Sequence, residues 1–307
     1  MNAVLADQAR QTIEAGSKSF ALASRLFDPK TRSSAVMLYA WCRHCDDVID
    51  GQELGFGQVA GDQAGEQVLQ ALRDQTQRAC AGEPVQQAAF AALQHVVQLH
   101  AIPVVLPMQH LDGFAMDVHE RRYETVDDTL EYCYHVAGVV GVMMAIIMGA
   151  QDEATLDRAC DLGLAFQLTN IARDIVEDAE IGRCYLPRQW LREVGVDQAA
   201  LSNPRHRPAL AVLAKRLVDM AEPYYRSSRA GLAALPLRSA WAVATARSVY
   251  REIGLQVRAQ GEHAWDERTS TSGVDKLRLL CYASGVALGS RKAVSEPRPP
   301  GLWTRPR

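Results

Sequence analysis

Asp46-Asp47-Val48-Ile49-Asp50 sets three carboxylates within five positions, following the apolar stretch 35–41 in the same helix. Residues four apart on a helix share a face, so Asp46 and Asp50 project side by side, with Asp47 about a quarter-turn away. A second cluster reads Asn170-Ile171-Ala172-Arg173-Asp174-Ile175-Val176-Glu177-Asp178. Asn170, Asp174 and Asp178 repeat at the same four-residue spacing, and Gln167 lies one position off that stripe. Both arrangements are unfavourable alone. Like charges at this spacing repel by about 0.2–0.5 kcal/mol, and carboxylates in the last turns of a helix oppose its dipole by about 0.3–1 kcal/mol each. A hard cation removes both penalties, and magnesium held by a few carboxylates commonly completes its shell with substrate phosphates and water. A solvated helix end is the plain alternative for either cluster alone. Two clusters with one stripe and one apolar lead-in argue for metal ions held around a diphosphate between two facing helices.

Basic residues sit where such an anion needs them. Lys18 lies in Ser17-Lys18-Ser19-Phe20, Arg43 precedes Asp46, and Arg183 follows the second cluster. Arginine forks take phosphate oxygens bidentately, whereas lysine acts as a point charge. A third segment, Tyr132-Cys133-Tyr134-His135-Val136-Ala137-Gly138-Val139-Val140-Gly141, carries two glycines that cost a helix about 1 kcal/mol each. Close helix packing, or room for a flat apolar ligand, would explain them. His135 reads as a satisfied histidine of the core or rim.

The elements that must position these groups are helical. Asp28-Pro29 pairs an N-cap with proline at the first helical position, and the helix runs to about Asp50. Pro84, Asp127, Asp152 and Asn203-Pro204 open further helices, and Gly82, Gly149 and Gly261 lie at or past the ends of others. No run of alternating β-branched residues predicts a strand. The segments 51–65 and 179–186 read as loops. Residues 1–290 form one expected helical domain. Residues 291–307, basic and proline-rich, are expected to be a disordered tail, with Arg298, Trp303, Arg305 and Arg307 available for a membrane surface.

Composition excludes several classes. Of 307 residues, 48% are apolar and 22% charged, and the net charge is -3, which offers no track for nucleic acid. The longest apolar run, 136–148, falls short of the roughly 20 residues of a bilayer span and reads as a buried helix. Seven scattered cysteines and no secretory pattern at residues 1–10 predict reduced thiols and a cytoplasmic setting. Cys42 and Cys45 form a CxxC without a second pair, which argues against zinc.

These stretches together resemble the squalene/phytoene synthase family, the head-to-head prenyl synthases. The matching segments are Ser17 to Phe20, Tyr39 to Asp50, Tyr132 to Gly141, and GLAFQLTNIARDIVEDAEIGRCYLP at 163–187. The resemblance covers about residues 10–290. It implies an all-α, single-domain bundle of the isoprenoid synthase type I kind around a central apolar cavity. It implies metal ligands at Asp46, Asp50, Asn170, Asp174 and Asp178, holding several Mg2+ or Mn2+ ions. Diphosphate contacts would come from Lys18, Ser19, Arg43, Arg183 and Arg268. Tyr132, Tyr185 and Tyr250 would stand near the reacting ends, with Gln167 as a polar neighbour. Segments such as YAWCRHCDDVID and LPLRSAWAVATA place the chain nearest the branch that condenses two geranylgeranyl diphosphates into phytoene, the first committed step towards carotenoids. That reaction needs no NADPH. The resemblance leaves ATP stimulation open. It also implies peripheral contact with the inner face of the cell membrane and hand-off of product to a desaturase.

Three rivals remain at this stage. Squalene or dehydrosqualene synthesis uses fifteen-carbon substrates. Chain elongation fits DDVID but lacks a second DDxxD. A non-catalytic relative would have lost aspartates that this chain keeps.

Overall fold

Asp28 starts the first long helix by accepting hydrogen bonds from the backbone N–H groups of Lys30 (3.0 Å) and Thr31 (3.1 Å). Proline at the first position supplies the fixed φ that a helix needs. In this computed structural model, which describes residues 18–51, 65–292 and 296–307, a short helix α1 (Lys18–Ser24) precedes that cap and α2 (Pro29–Asp50) follows it. Gly51 ends α2 in the left-handed region at φ 59°. The expected loop at 51–65 lies almost wholly outside the described residues. Then come α3 (Gly65–Cys80), α4 (Ala88–His100), α5 (Val105–Val118) and α6 (Val126–Cys133). A π-turn, Tyr134–Gly138, carries α6 into α7 (Val139–Ile147). The chain continues through α8 (Glu153–Glu180), α9 (Arg188–Val194), α10 (Arg207–Gly231), α11 (Leu237–Gln260) and α12 (Gly273–Ser290). Among the described residues every regular element is a helix or helical turn.

Two helix starts differ from the sequence expectation. The helix expected at Pro84 begins at Ala88. The one expected at Asp127 is capped two residues earlier, where Thr125 and Asp128 form a reciprocal capping box.

α8 is the central rod. Asp152 caps it by accepting from the Thr155 N–H at 2.9 Å, and α7, α10, α11 and the π-turn pack around it. Glycine permits the closest approach. A Cβ on Gly163 would stand 2.3 Å from the Ala137 carbonyl oxygen, and one on Gly141 would stand 2.4 Å from that of Ala159. Close packing therefore accounts for Gly141, and α8 answers with Gly163. The helix Val126–Ile147 is long and apolar enough to cross a membrane by composition, but 61% of its most apolar window is buried inside the bundle.

The tail corrects the expectation of disorder. Arg298 forks onto Asp161, with Nη2 at 2.7 Å and Nε at 2.9 Å. Arg305 pairs with Asp157 at 2.8 Å and with Glu153. The Trp303 ring packs on Tyr134 with centroids 5.4 Å apart. These basic residues find fixed acids on α8, so Arg298 and Arg305 are turned into the protein rather than towards a membrane.

Candidate active site

The cavity beside α8 is about 330 Å³ in volume. Its wall follows α8 from Thr155 to Asn170, sixteen residues or about 22 Å of helix. Most of the lining is apolar: Ala159, Leu162 and Phe166 on α8, Val140 and Met144 on α7, and Leu38 on α2. At one end Tyr39 and Cys42 of α2 line it together with Gln167 and Asn170 of α8, and Thr155 and Arg158 of α8 line it towards the other. Asp46 lies one turn beyond Cys42, and Asp174 one turn beyond Asn170. The two acidic clusters thus stand at the same end of the cavity.

Arg183 ties them together. Its backbone N–H donates to the Asp178 carbonyl at the close of α8 (2.8 Å). Its guanidinium forks onto Asp50 of α2, with Nη1 3.3 Å from Oδ2 and Nη2 closer to Oδ1. Arg43 bridges Asp46 at 2.9 Å and Asp47 at 2.8 Å. Arg173 holds Asp174 through Nε at 2.7 Å, and Arg268 reaches the same carboxylate at 3.2 Å. Arg268 also lies 3.5 Å from Glu177. The structure therefore brings Arg43, Arg183 and Arg268 to the carboxylates. Lys18 and Ser19 fall in α1, and their side chains lie outside what is described.

The carboxyls are held at an electrostatic cost. Burial, and then the neighbouring Asp174, push Asp178 up to about 8. Burial, and then Asp50, push Asp46 up to about 6, although its outer edge remains in contact with solvent. Asn170 donates to the Gln167 Oε1 at 3.3 Å, while its own Oδ1 is buried and accepts nothing. An orphaned oxygen beside anions destabilised by burial is a donor set that suits a hard divalent cation. Among the described residues, no three acidic, histidine or cysteine groups already converge as a cage. Asp46, Asp50 and Asp174 each lean on a guanidinium instead.

The three tyrosines separate. Tyr132 and Tyr185 stack face to face with centroids 4.3 Å apart. Their hydroxyls donate to one acid, Asp117 of α5, at 3.4 and 3.1 Å. Burial raises Asp117 to about 6, against the pull of Arg183. Asp117 is absent from the sequence reading. Tyr250 instead stacks on Phe166 inside the cavity wall, with centroids 4.2 Å apart. His135 donates from Nδ1 to the Gln109 carbonyl (2.7 Å), as expected of a satisfied histidine. Burial raises both thiols of Cys42 and Cys45, which keeps them protonated and poor metal ligands.

Comparison with known proteins is consistent with this geometry. The model of the squalene/phytoene synthase family matches residues 13–275. The chain is 58% identical over 306 residues to a 15-cis-phytoene synthase of Pantoea ananas, covering 99% of each chain. It is 61% identical over 295 residues to a 15-cis-phytoene synthase of Enterobacter agglomerans, covering 96% of this chain and all of the other. Among solved structures, a dehydrosqualene synthase in complex with ligand superimposes with a TM-score of 0.83 at 29% identity, covering 94% of this chain and 98% of that one. By sequence match and by fold, the chain belongs to the squalene/phytoene synthase family.

Proposed function

We propose that the chain joins two molecules of geranylgeranyl diphosphate head to head and releases phytoene and two diphosphates. The observation that carries the reading is the Arg183 fork on Asp50, which draws the acidic ends of α2 and α8 together at one end of a long, mostly apolar cavity. The twenty-carbon assignment is supported by 58–61% identity to proteins named 15-cis-phytoene synthase, against 29% for the dehydrosqualene synthase.

Asp46, Asp50, Asn170, Asp174 and Asp178 would hold Mg2+ or Mn2+, which neutralises charge on the departing diphosphate when bound. Arg43, Arg183 and Arg268 bind diphosphate oxygens as they exchange their carboxylate partners for substrate. One allylic carbon–oxygen bond breaks, and the resulting cation is attacked by the 2,3 double bond of the second substrate. Loss of a proton closes the cyclopropane of prephytoene diphosphate. The second carbon–oxygen bond then breaks, the skeleton rearranges to a central 1–1' bond, and loss of a second proton gives the triene. Aliphatic side chains and the rings of Phe166 and Tyr250 exclude water from these cations. Asp117 fixes the Tyr132–Tyr185 pair beside Arg183.

The reading requires no NADPH and includes a cytoplasmic setting, peripheral membrane contact and hand-off to a desaturase. A product assay tests it. Purified protein with magnesium receives geranylgeranyl or farnesyl diphosphate separately, with and without NADPH, and the organic extract is weighed by mass spectrometry. A forty-carbon hydrocarbon without NADPH is expected. A thirty-carbon product from farnesyl diphosphate alone would overturn the substrate assignment while leaving the fold and the acidic site intact.

A further inference from the structure

Three helices converge on a second cavity, about 380 Å³ in volume, that shares no lining residue with the apolar one. Glu222, Arg226 and Arg229 of α10 stand four and three residues apart and so share one helix face. Arg247 and Arg251 stand four apart on α11, and Tyr282 closes the space from α12. Like charges at the spacing of Arg247 and Arg251 repel, so the wall is built against its own electrostatics.

The acids of that wall, Glu222 and Glu252, are already taken. Arg251 donates from Nε to both oxygens of Glu222, at 2.8 and 3.0 Å. Glu252 lies 3.5 Å from Arg278 of α12. Among the described residues, Arg226, Arg229 and Arg247 are left with no carboxylate. Arg226 and Arg229 are exposed. Arg247 is half-buried and fixed by its Nε donation to the Tyr225 carbonyl at 2.8 Å, which leaves its two Nη groups for another acceptor. Burial, and then Arg251 and Arg229, lower its hold on its proton. Three uncompensated guanidiniums around one recess are relieved when an anion enters it.

We propose that this cavity binds a soluble diphosphate at a site separate from the acidic one, with Arg226, Arg229 and Arg247 on its oxygens and the Tyr282 hydroxyl donating to one of them. Guanidinium forks match phosphate oxygens. Three of them ask for more than the single charge of a carboxylate, and a diphosphate presents several charged oxygens on one compact body. Both carboxylates of the wall are paired, so this site needs no divalent ion, unlike the acidic one. The two cavities lie on neighbouring faces of α11: Val243, Ala246 and Tyr250 line the apolar one, and Arg247, Ser248 and Arg251 the basic one. The site rests on this wall and not on the proposed reaction, although a reaction that releases diphosphate would keep the ligand at hand.

Calorimetric titration of the full chain with inorganic diphosphate, in chelator and without magnesium, tests it. Wild type is expected to bind one equivalent, and more weakly as salt screens the wall. Arg226→Ser with Arg229→Ser should lose affinity about tenfold or more, the scale of lost hydrogen bonds to a charged group. Both side chains are exposed and neither lines the apolar cavity, so melting temperature and turnover should not fall. Citrate at the same ionic strength should bind about tenfold more weakly than diphosphate, because its charges are not set for the same forks. An absence of metal-free binding, or equal affinity of the double variant and wild type, would overturn the proposal. So would citrate binding as tightly as diphosphate, which would make the wall a general sink for anionic charge. A different hydrocarbon in the product assay would leave every one of these readouts unchanged.

Discussion

Asp117 is the acid that the two stacked tyrosines share, and its position sets a pH dependence. Its folded carboxyl titrates near 6, above the ordinary value of 3.8, because burial outweighs the pull of Arg183. A raised carboxyl binds its proton more tightly folded than unfolded, so its contribution to stability is lost as pH rises from about 4 through about 6. Asp117→Asn should therefore melt higher than wild type at pH 7, by about 2–4 °C for each kcal/mol recovered, and should match it near pH 3.5. Melting curves across that range check the sign, and a variant that melts lower at pH 7 would contradict it. Turnover should fall in the same variant as one of the two tyrosine hydroxyls loses its acceptor oxygen. The acidic stripes make a second prediction. Asp46→Ala or Asp174→Ala should lower turnover by about a thousandfold or more, the scale of a lost electrostatic anchor for a leaving group, with the helical circular dichroism kept. Near-normal turnover in either would sink the metal reading. The stripes were legible because helix periodicity alone puts residues four apart on one face. Asp117 was not. It is a single acid near the end of a mostly apolar helix, and its meaning depends on Tyr132 and Tyr185, which reach it only when α5, α6 and the segment after α8 are packed.

At the scale of elements, α8 and the helix against it are held at glycine distance. Gly163→Ala would drive a methyl to within 2.3 Å of the Ala137 carbonyl and 2.6 Å of the Gly138 Cα. Both obstacles are backbone, so a rotamer change cannot relieve the clash and the helices must part. A loss of about 1–3 kcal/mol in urea unfolding is expected, the range for overpacking a tight interface. Parting these helices also moves Val140, Gly141 and Leu162 in the cavity wall, so the Michaelis constant should rise along with the loss of stability. Unchanged unfolding would show that the contact is looser than described. The sequence made the glycines at 138 and 141 conspicuous, since each weakens a helix that otherwise propagates well. It did not identify Gly163 as their counterpart, nor the π-turn between Tyr134 and Gly138. Both depend on how two helices meet, and neither has a local pattern. Helix ends followed the same division. Asp28 and Asp152 announced themselves through cap chemistry. The start at Ala88 did not, because Gln87 makes no side-chain cap bond.

Over the whole molecule, the tail shows where composition misleads. Proline and basic residues predict a solvated segment, because nothing nearby in sequence offers a partner. Its partner, Asp161, is 137 residues away from Arg298 and completely buried in the middle of α8. Ser227 donates to the same carboxylate at 2.5 Å, and Arg158, also buried, donates to the Ser227 carbonyl at 2.9 Å and to the Glu296 carbonyl. The tail therefore closes the electrostatics of the buried half of α8. Arg298→Ala would leave Asp161 as a buried anion with one hydroxyl donor. Breaking a buried pair from one side costs about 3–5 kcal/mol, and the partial exposure of Arg298 argues for the lower end. Thermal and urea unfolding should both register that loss. Arg298→Lys keeps the charge but loses the fork, and should fall in between. Asp161→Asn combined with Arg298→Ala should recover part of the loss, because the stranded charge goes with its partner. Raised salt should change wild type little, since a buried pair is screened far less than a surface pair. If Arg298→Ala instead unfolds within about 0.5 kcal/mol of wild type, the range of ordinary surface substitutions, the tail is a passive strand laid over the bundle and Asp161 is satisfied without it.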